Sequence, residues 1–147
     1  MHARVGSAHR IHDNMTMRAD ILVIEDDAIM REAIAEWLLA AGYRVRTAAD
    51  ANEGLGAVNL SLPTLVITDI YMPGTSGAMV IAELRQHHPD IPIIAISGLF
   101  ESGYGIDAAA AVALGAARAL AKPFKHSDLL AAVAELLGSN SSGYRDQ

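Results

Sequence analysis

Four short, mostly apolar runs of the chain each end in side chains that could do chemistry. Carboxylates follow two of the runs, a hydroxyl follows the third and an ammonium follows the fourth: Glu25 and Asp26, Asp69, Ser97, and Lys122. If these runs are parallel strands of one sheet, their carboxyl ends meet at the same edge, where open α/β sheets bind their ligands. The spacing therefore predicts one polar site built from distant parts of the chain.

The carboxylates of Glu25, Asp26 and Asp69 would need a counter-charge at such a site. Two like charges about 4 Å apart repel by about 4 kcal/mol at an effective dielectric constant of about 20. Oxygen ligands select a hard divalent cation, and Mg²⁺ commonly uses one or two carboxylates together with a phosphate oxygen and several waters. We therefore predict Mg²⁺, or Mn²⁺ in its place, and not Zn²⁺.

Asp69 is also a candidate phosphoryl acceptor. A carboxylate accepts a phosphoryl group when a cation, an ammonium and hydrogen-bond donors neutralise the charge on the transferred oxygens. We expect Lys122 to contact the phosphoryl group and the Ser97 hydroxyl to donate to it. Taken singly, each residue has an ordinary explanation as a turn residue, a partner of strand-end backbone or a surface charge. Their shared edge is what favours the chemical interpretation.

The elements that would position these residues alternate along the chain. From Asp20 onward, short runs rich in branched residues alternate with helical patterns, which is typical of βα units on a parallel sheet. Asp27 is expected to begin the first helix rather than to bind metal, and Asp50 to begin the second. Gly42 is expected to end the first helix and Gly138 the last. We predict strands at residues 21–24, 44–48, 65–68, 93–96 and 118–121.

The length and composition are those of one compact domain. The chain has 147 residues, of which 52% are hydrophobic and 19% charged, and a formal net charge of −6. An acidic chain without a basic stripe argues against direct nucleic-acid binding. The chain has no cysteine, no apolar run of transmembrane length and no signal-peptide centre, so we expect a soluble cytoplasmic protein without membrane contact. We expect residues 1–18 to be a flexible leader, 19–138 the folded domain and 139–147 a flexible tail.

Five sequence segments together resemble a known family. ILVIEDD followed by MRE, then VITDIYMPGTSG, IIAISG and ALAKPF are similar, in this order, to the landmarks of receiver domains from bacterial two-component response regulators. The resemblance covers about residues 20–138. It implies an α/β fold of the flavodoxin-like, CheY-like type, which is a doubly wound, five-stranded parallel sheet in the order 2-1-3-4-5 with helices on both faces.

The resemblance also implies how a metal ion would be held. Asp26 would bind the ion directly, and Glu25 would act mainly through water. Asp69 would contribute one carboxylate oxygen, and Tyr71 would offer its backbone carbonyl.

For the phosphoryl group, the resemblance implies that Asp69 accepts it and Lys122 binds it. Ser97 would be the switch hydroxyl, and the backbone N–H of Gly98 would contact the group. The donor would be a sensor histidine kinase or a histidine phosphotransfer protein. The output would be altered binding of an unknown downstream protein or of a second copy of the chain. Beyond phosphorylating itself from a phosphodonor and slowly losing the group, such a domain is not an enzyme.

Three features depart from the family pattern. Ala119 replaces the aromatic residue that usually stands three positions before the lysine, so coupling from the hydroxyl to an aromatic ring cannot operate through that side chain. Residues 97–115 form a longer stretch than is typical and contain several glycines, which predicts a mobile loop. Tyr71 and Leu99 stand where other receivers carry water-orienting amides or acids, which predicts a long-lived aspartyl phosphate.

Other functions remain open at this stage. The chain could be a receiver cut from a longer transcriptional or enzymatic regulator. An aspartyl-phosphate phosphatase would also place a nucleophilic Asp at a strand end beside Mg²⁺, but it needs a second Asp two residues later, where this chain has Tyr71. A flavodoxin-like cofactor binder, or a receiver-like domain that never takes phosphate, would not need the complete set of acids, hydroxyl and lysine.

Overall fold

The computed structural model describes residues 19–72, 76–98 and 107–145. Within these ranges, five strands alternate with five helices. The strands are β1 (Asp20–Ile24), β2 (Arg44–Ala48), β3 (Leu65–Asp69), β4 (Ile93–Ser97) and β5 (Arg118–Ala121). The helices are α1 (Ala28–Ala40), α2 (Ala51–Leu60), α3 (Gly77–His87), α4 (Ala108–Leu114) and α5 (His126–Arg145). Every predicted strand is confirmed to within one residue at either end.

The five strands form one parallel sheet in the order β2-β1-β3-β4-β5. The order and the doubly wound architecture implied by the resemblance are therefore confirmed. The chain changes direction across the sheet between β1 and β3, and the crevice at such a switch point is where open α/β sheets bind ligands. Ile24 pairs with Thr68 across these two strands, so the residues that follow, Glu25 and Asp69, come next in the same register.

Side chains of each strand alternate between two hydrophobic cores, as the two-residue period of a strand requires. In β1, Ile21 and Val23 belong to one core, whereas Leu22 and Ile24 belong to the other. Helices α1 and α5 cover the first face, with buried residues Ile34, Leu38, Leu129 and Val133. Helices α2, α3 and α4 cover the second face, with buried residues Val58, Ile81, Leu84 and Ala111. Because both faces are covered, polar chemistry is left to the ends of the strands.

The predicted capping residues Asp27 and Asp50 lie at helix starts, and a third aspartate, Asp107, caps α4 in the same way. Asp27, Asp50 and Asp107 each accept a backbone N–H from the start of α1, α2 and α4 at 2.8 to 3.0 Å, so Asp27 is confirmed as a helix-start residue. Gly42 follows the end of α1 with a φ of 100°, a left-handed conformation that favours glycine.

The last helix is longer than the sequence predicted. We expected Gly138 to end it, but α5 continues to Arg145, so that prediction is wrong. Glycine inside a helix costs about 1 kcal/mol relative to alanine without ending the helix. The described glycines with a left-handed φ are Gly42 and Gly115, and Gly138 is not among them. The division of the chain into a leader, a domain and a tail stays a prediction.

Three predictions concern segments wholly or partly outside the described residues. They are the leader at residues 1–18, part of the loop predicted to be mobile, residues 99–106, and the end of the predicted tail, residues 146–147. In the part of the chain that the structure describes, no helix has both the length and the apolar character needed to cross a bilayer.

Candidate functional site

The strand ends bring three of the predicted polar residues into direct contact. Glu25 follows β1, Asp69 ends β3 and Lys122 follows β5. The Lys122 ammonium lies 2.7 Å from Glu25 Oε1 and 2.8 Å from Asp69 Oδ2, so it bridges the two carboxylates. Lys122 is 97 residues from Glu25 and 53 residues from Asp69 along the chain. The parallel sheet is what brings acid and ammonium to the predicted edge.

Asp26 completes an acidic cluster beside this bridge. One carboxylate oxygen each from Glu25, Asp26 and Asp69 lies within 4.8 Å of the other two. Glu25 is fully buried and Asp69 is 5% exposed, whereas Asp26 is open to solvent. Mg²⁺ and Mn²⁺ bind oxygen ligands, and Mg²⁺ usually retains several waters. An all-oxygen donor set with one solvent-facing carboxylate therefore fits the predicted cation.

Burial and pairing act in opposite directions on the charges of Glu25 and Lys122. Burial raises the pKa of Glu25, and hydrogen bonds from Lys122 and from the backbone N–H of Asp27 offset this only in part. Burial alone would lower the pKa of Lys122, but its hydrogen bonds to Asp69 and Glu25 together raise it above its ordinary value. The ammonium therefore stays charged. Both Glu25 oxygens have a donor, since the Asp27 N–H lies 3.0 Å from Oε2.

Asp69 presents one carboxylate oxygen to Lys122 and the other to the main chain. Its Oδ1 accepts a hydrogen bond from the backbone N–H of Tyr71 at 3.1 Å. The hydroxyl of the buried Thr68 donates to the Asp69 carbonyl oxygen at 3.0 Å. The carboxylate is thus held in one orientation at the end of a buried strand. The role of the Tyr71 carbonyl as a metal ligand stays a prediction.

Ser97 and Gly98 lie beside the lysine at the end of β4. Ser97 is fully buried, and its carbonyl oxygen accepts the backbone N–H of Lys122 at 2.8 Å. Gly98 is exposed, and a Cβ added to it would lie 3.9 Å from the Lys122 Cβ. The backbone therefore sets both residues next to Lys122. Their contacts with a phosphoryl group stay predictions. The Lys122–Pro123 peptide bond is cis.

Two further residues shape the site although sequence reasoning gave them no such role. Arg31 of α1 donates from Nη1 to the backbone carbonyls of Glu25 and Asp26, at 2.8 and 3.4 Å. Gly77 begins α3 against the end of β3, where a Cβ would collide with the carbonyl oxygen of Asp69. One signal in the sequence could have singled out Arg31. It is a cation in the first turn of a helix, where the helix dipole favours acidic side chains. No signal in the sequence indicated the close approach of Gly77 to Asp69.

A family model and several curated proteins match most of this chain. The model, described as the response regulator receiver domain, matches residues 21–134. A probable transcriptional regulator, ycf27, of Cyanophora paradoxa is 38% identical over 117 residues, which are 80% of this chain. The response regulator protein FleR of Pseudomonas aeruginosa is 34% identical over 134 residues, 86% of this chain. The matched regions are 47% and 27% of the lengths of these two relatives, so the chain spans half of them or less.

Solved structures agree with the sequence matches. The receiver domain of NtrX from Brucella abortus is 34% identical with a TM-score of 0.73, and the match covers 80% of this chain and 98% of that one. The chemotaxis response regulator CheY4 of Vibrio cholerae is 27% identical with a TM-score of 0.72, covering 81% of this chain and 98% of that one. Fold, motifs and relatives agree, and the chain belongs to the response regulator receiver domain family.

Proposed function

We propose that this receiver domain accepts a phosphoryl group on Asp69 in a Mg²⁺-dependent reaction and signals through altered binding of a partner. The observation that carries the proposal is the geometry at the strand ends. The Lys122 ammonium lies 2.8 Å from the Asp69 carboxylate and 2.7 Å from that of Glu25, and Asp26 forms an acidic cluster with these two carboxylates. Phosphoryl transfer depends on such positioning of an acceptor among groups that neutralise charge. Membership of the family supports the same assignment.

The phosphoryl donor would be a phosphohistidine on a sensor histidine kinase or a histidine phosphotransfer protein. An Asp69 oxygen attacks the phosphorus, and the phosphorus–nitrogen bond breaks. Its electron pair returns to the imidazole nitrogen, which takes a proton from solvent. The product on this chain is an acyl phosphate. Lys122 keeps its proton and stabilises the negative charge on the phosphoryl oxygens.

The acidic cluster would hold the divalent cation that this reaction needs. Asp26 and Asp69 are the proposed direct ligands, Glu25 would act through water, and Tyr71 would add its backbone carbonyl. When bound, the cation would neutralise charge on the phosphoryl oxygens. Glu25 would also help to position Lys122, because the Lys122 ammonium donates hydrogen bonds to both Glu25 and Asp69.

Ser97 and Gly98 are proposed to bind the phosphoryl group once it is on Asp69, through a hydroxyl and a backbone N–H respectively. Neither Tyr71 nor Leu99 carries an acid or amide that would orient an attacking water. The phosphorylated form is therefore proposed to be long-lived and to lose its phosphoryl group only slowly in magnesium buffer.

The output is proposed to be altered binding of a downstream protein, with a second copy of the chain as another candidate partner. Residues 19–138 would form the receiver domain, either alone or as part of a longer regulator, as the greater length of the curated relatives allows. Direct nucleic-acid contact is not part of the proposal, because the net charge is −6. A cytoplasmic location is part of it.

Incubation of the purified chain with acetyl phosphate and Mg²⁺, followed by measurement of intact mass, tests the proposal. The wild type is expected to gain one phosphoryl group, and chelation of the metal to prevent the gain. Asp69→Ala is expected to gain none. Asp50→Ala is the matched control, because it removes an aspartate that caps α2 and is expected to gain the group as the wild type does. A phosphorylated Asp69→Ala variant would contradict the assignment.

A further inference from the structure

Arg31 reaches back from the start of α1 to the main chain that carries the acidic pair. Its own backbone N–H donates to the Asp27 carbonyl oxygen at 2.9 Å, which sets it in the first turn of the helix. Its half-buried side chain donates from Nη1 to the Glu25 carbonyl oxygen at 2.8 Å and, more weakly, to that of Asp26 at 3.4 Å. The guanidinium therefore contacts the backbone of both residues and ties them to α1.

The segment from Glu25 to Asp27 is also held through its backbone N–H groups. The Glu25 N–H donates to the Ala48 carbonyl oxygen at 3.0 Å, and the Asp27 N–H donates to Glu25 Oε2, also at 3.0 Å. Arg31 adds restraint on the carbonyl side of the same segment. With both sides restrained, the peptide planes of this segment are fixed, and the directions in which its carboxylates leave the main chain are fixed with them.

The charge of Arg31 favours neither the start of α1 nor a bound cation. A cation near a helix N-terminus opposes the helix dipole, and the acidic group that favours this end of α1 is the Asp27 cap. A positive charge beside an acidic cluster also repels any divalent cation that the cluster binds. The charge of Arg31 is therefore unfavourable for the helix dipole and for a bound cation, although it attracts the nearby carboxylates. Its hydrogen bonds to the two carbonyls are the contribution that favours a cation site.

We propose that Arg31 is a positioning residue for the acidic pair, which holds the backbone of Glu25 and Asp26 so that their carboxylates face Asp69. The inference rests on the proposed cation site. Positioning and charge predict effects of opposite sign when the guanidinium is removed. If Arg31 positions the acids, cation affinity falls; if only its charge matters, cation affinity rises.

Titration of the metal-free full chain with Mn²⁺, with free Mn²⁺ followed by electron paramagnetic resonance, separates the two effects. Arg31→Gln is expected to raise the Mn²⁺ dissociation constant by about 10-fold to 100-fold, the usual loss when a residue that orients metal ligands is removed. Arg31→Lys, which keeps a donor and the charge, is expected to recover part of the affinity. Arg118→Gln, the matched control on the exposed Glu135 pair, is expected to bind as the wild type does.

Equal or tighter Mn²⁺ binding by Arg31→Gln would overturn the inference while leaving the proposed function intact, provided that the wild type binds. A wild type that binds no Mn²⁺ would overturn the proposed cation site and the inference together. Thermal unfolding followed by circular dichroism identifies a variant that is not folded. If Arg31→Gln does not fold, Arg31→Lys decides: weaker binding than the wild type supports the inference, and equal or tighter binding overturns it.

Discussion

The two ends of strand β5 each carry a cation paired with carboxylates, in very different surroundings. Arg118 begins the strand and pairs with Glu135 of α5 at 2.6 Å, where the side chains are 43% and 60% exposed. Lys122 follows the strand and pairs with Glu25 and Asp69 at 2.7 and 2.8 Å, where the three side chains are 20%, 0% and 7% exposed. The distances are nearly equal, so burial is what distinguishes the two ends.

This difference shows that ion-pair distance says little about what a pair contributes. An exposed pair competes with water and commonly contributes about 0 to 1 kcal/mol. A buried carboxylate that loses its partner cannot be solvated by water in its place. Removing one partner of a buried pair therefore commonly costs about 3 to 5 kcal/mol. The Arg118 end is therefore expected to tolerate change, whereas the Lys122 end is expected to respond in both stability and reactivity.

Lys122→Ala is expected to have the largest effect on stability. It leaves the fully buried Glu25 and the nearly buried Asp69 without their shared ammonium, so the free energy of unfolding is expected to fall by about 3 kcal/mol. Urea denaturation at neutral pH measures the change. Adding Glu25→Gln, which removes one of the two orphaned charges, is expected to restore part of the loss. If Lys122→Ala lowers the free energy of unfolding by less than about 1 kcal/mol, the buried pair contributes no more than an exposed one. That result would contradict the expected difference between the two ends of β5.

Lys122→Ala is also expected to slow phosphorylation. Loss of one group that stabilises transition-state charge commonly costs about 100-fold in rate. The initial rate of mass gain from acetyl phosphate and Mg²⁺ measures this effect on folded protein, below the denaturation midpoint. Arg118→Ala is the control at the other end of the strand and is expected to react at the wild-type rate. Equal rates for the two variants would remove Lys122 from the proposed mechanism.

Gly77→Ala extends the comparison from charge to packing. A Cβ at Gly77 collides with the Asp69 carbonyl oxygen, so we expect a loss of about 1 to 3 kcal/mol in unfolding free energy together with slower phosphorylation. Gly56→Ala is the matched control inside α2, where a Cβ would meet nothing within 4 Å. It is expected to gain about 0.5 to 1 kcal/mol, because alanine favours helix over glycine. If urea denaturation shows no change in unfolding free energy for Gly77→Ala, the backbone around Asp69 can shift to make room for the added methyl group, and the prediction is wrong.

Arg118→Ala is expected to have the smallest effect. It removes an exposed pair, so the unfolding free energy is expected to change by less than about 1 kcal/mol. The difference from wild type is expected to shrink as salt is added, because exposed charges are screened. Urea denaturation at low and high salt measures both. A loss comparable to that of Lys122→Ala would mean that burial does not separate the two ends.

The elements of the fold were predictable because residues close in sequence set them. The strands predicted at residues 44–48 and 118–121 match β2 and β5 residue for residue. Asp27 and Gly42 bound α1 as expected, because a cap acts within one turn of its helix. The prediction that the last helix ends at Gly138 was wrong, because one glycine only weakens a helix locally. Whether the helix continues past that glycine depends on the residues around it as well.

The site was predictable only as a set of side chains at one sheet edge. The sheet order brings Glu25 beside Asp69 and lets Lys122 reach both. The hydrogen bonds of Arg31 to two carbonyls and the approach of Gly77 to Asp69 depend on how the main chain runs between elements. No period or motif encodes that path, so these contacts required the structure.

Locating the modified residue tests the central claim most directly. After reaction with acetyl phosphate and Mg²⁺, borohydride reduction converts an aspartyl phosphate to homoserine, which peptide mass spectrometry locates in the chain. Homoserine at residue 69 alone is the predicted result. Homoserine at Asp26 or another carboxylate, or at no residue of a folded and metal-loaded chain, would contradict the account of Asp69 as the acceptor beside Lys122.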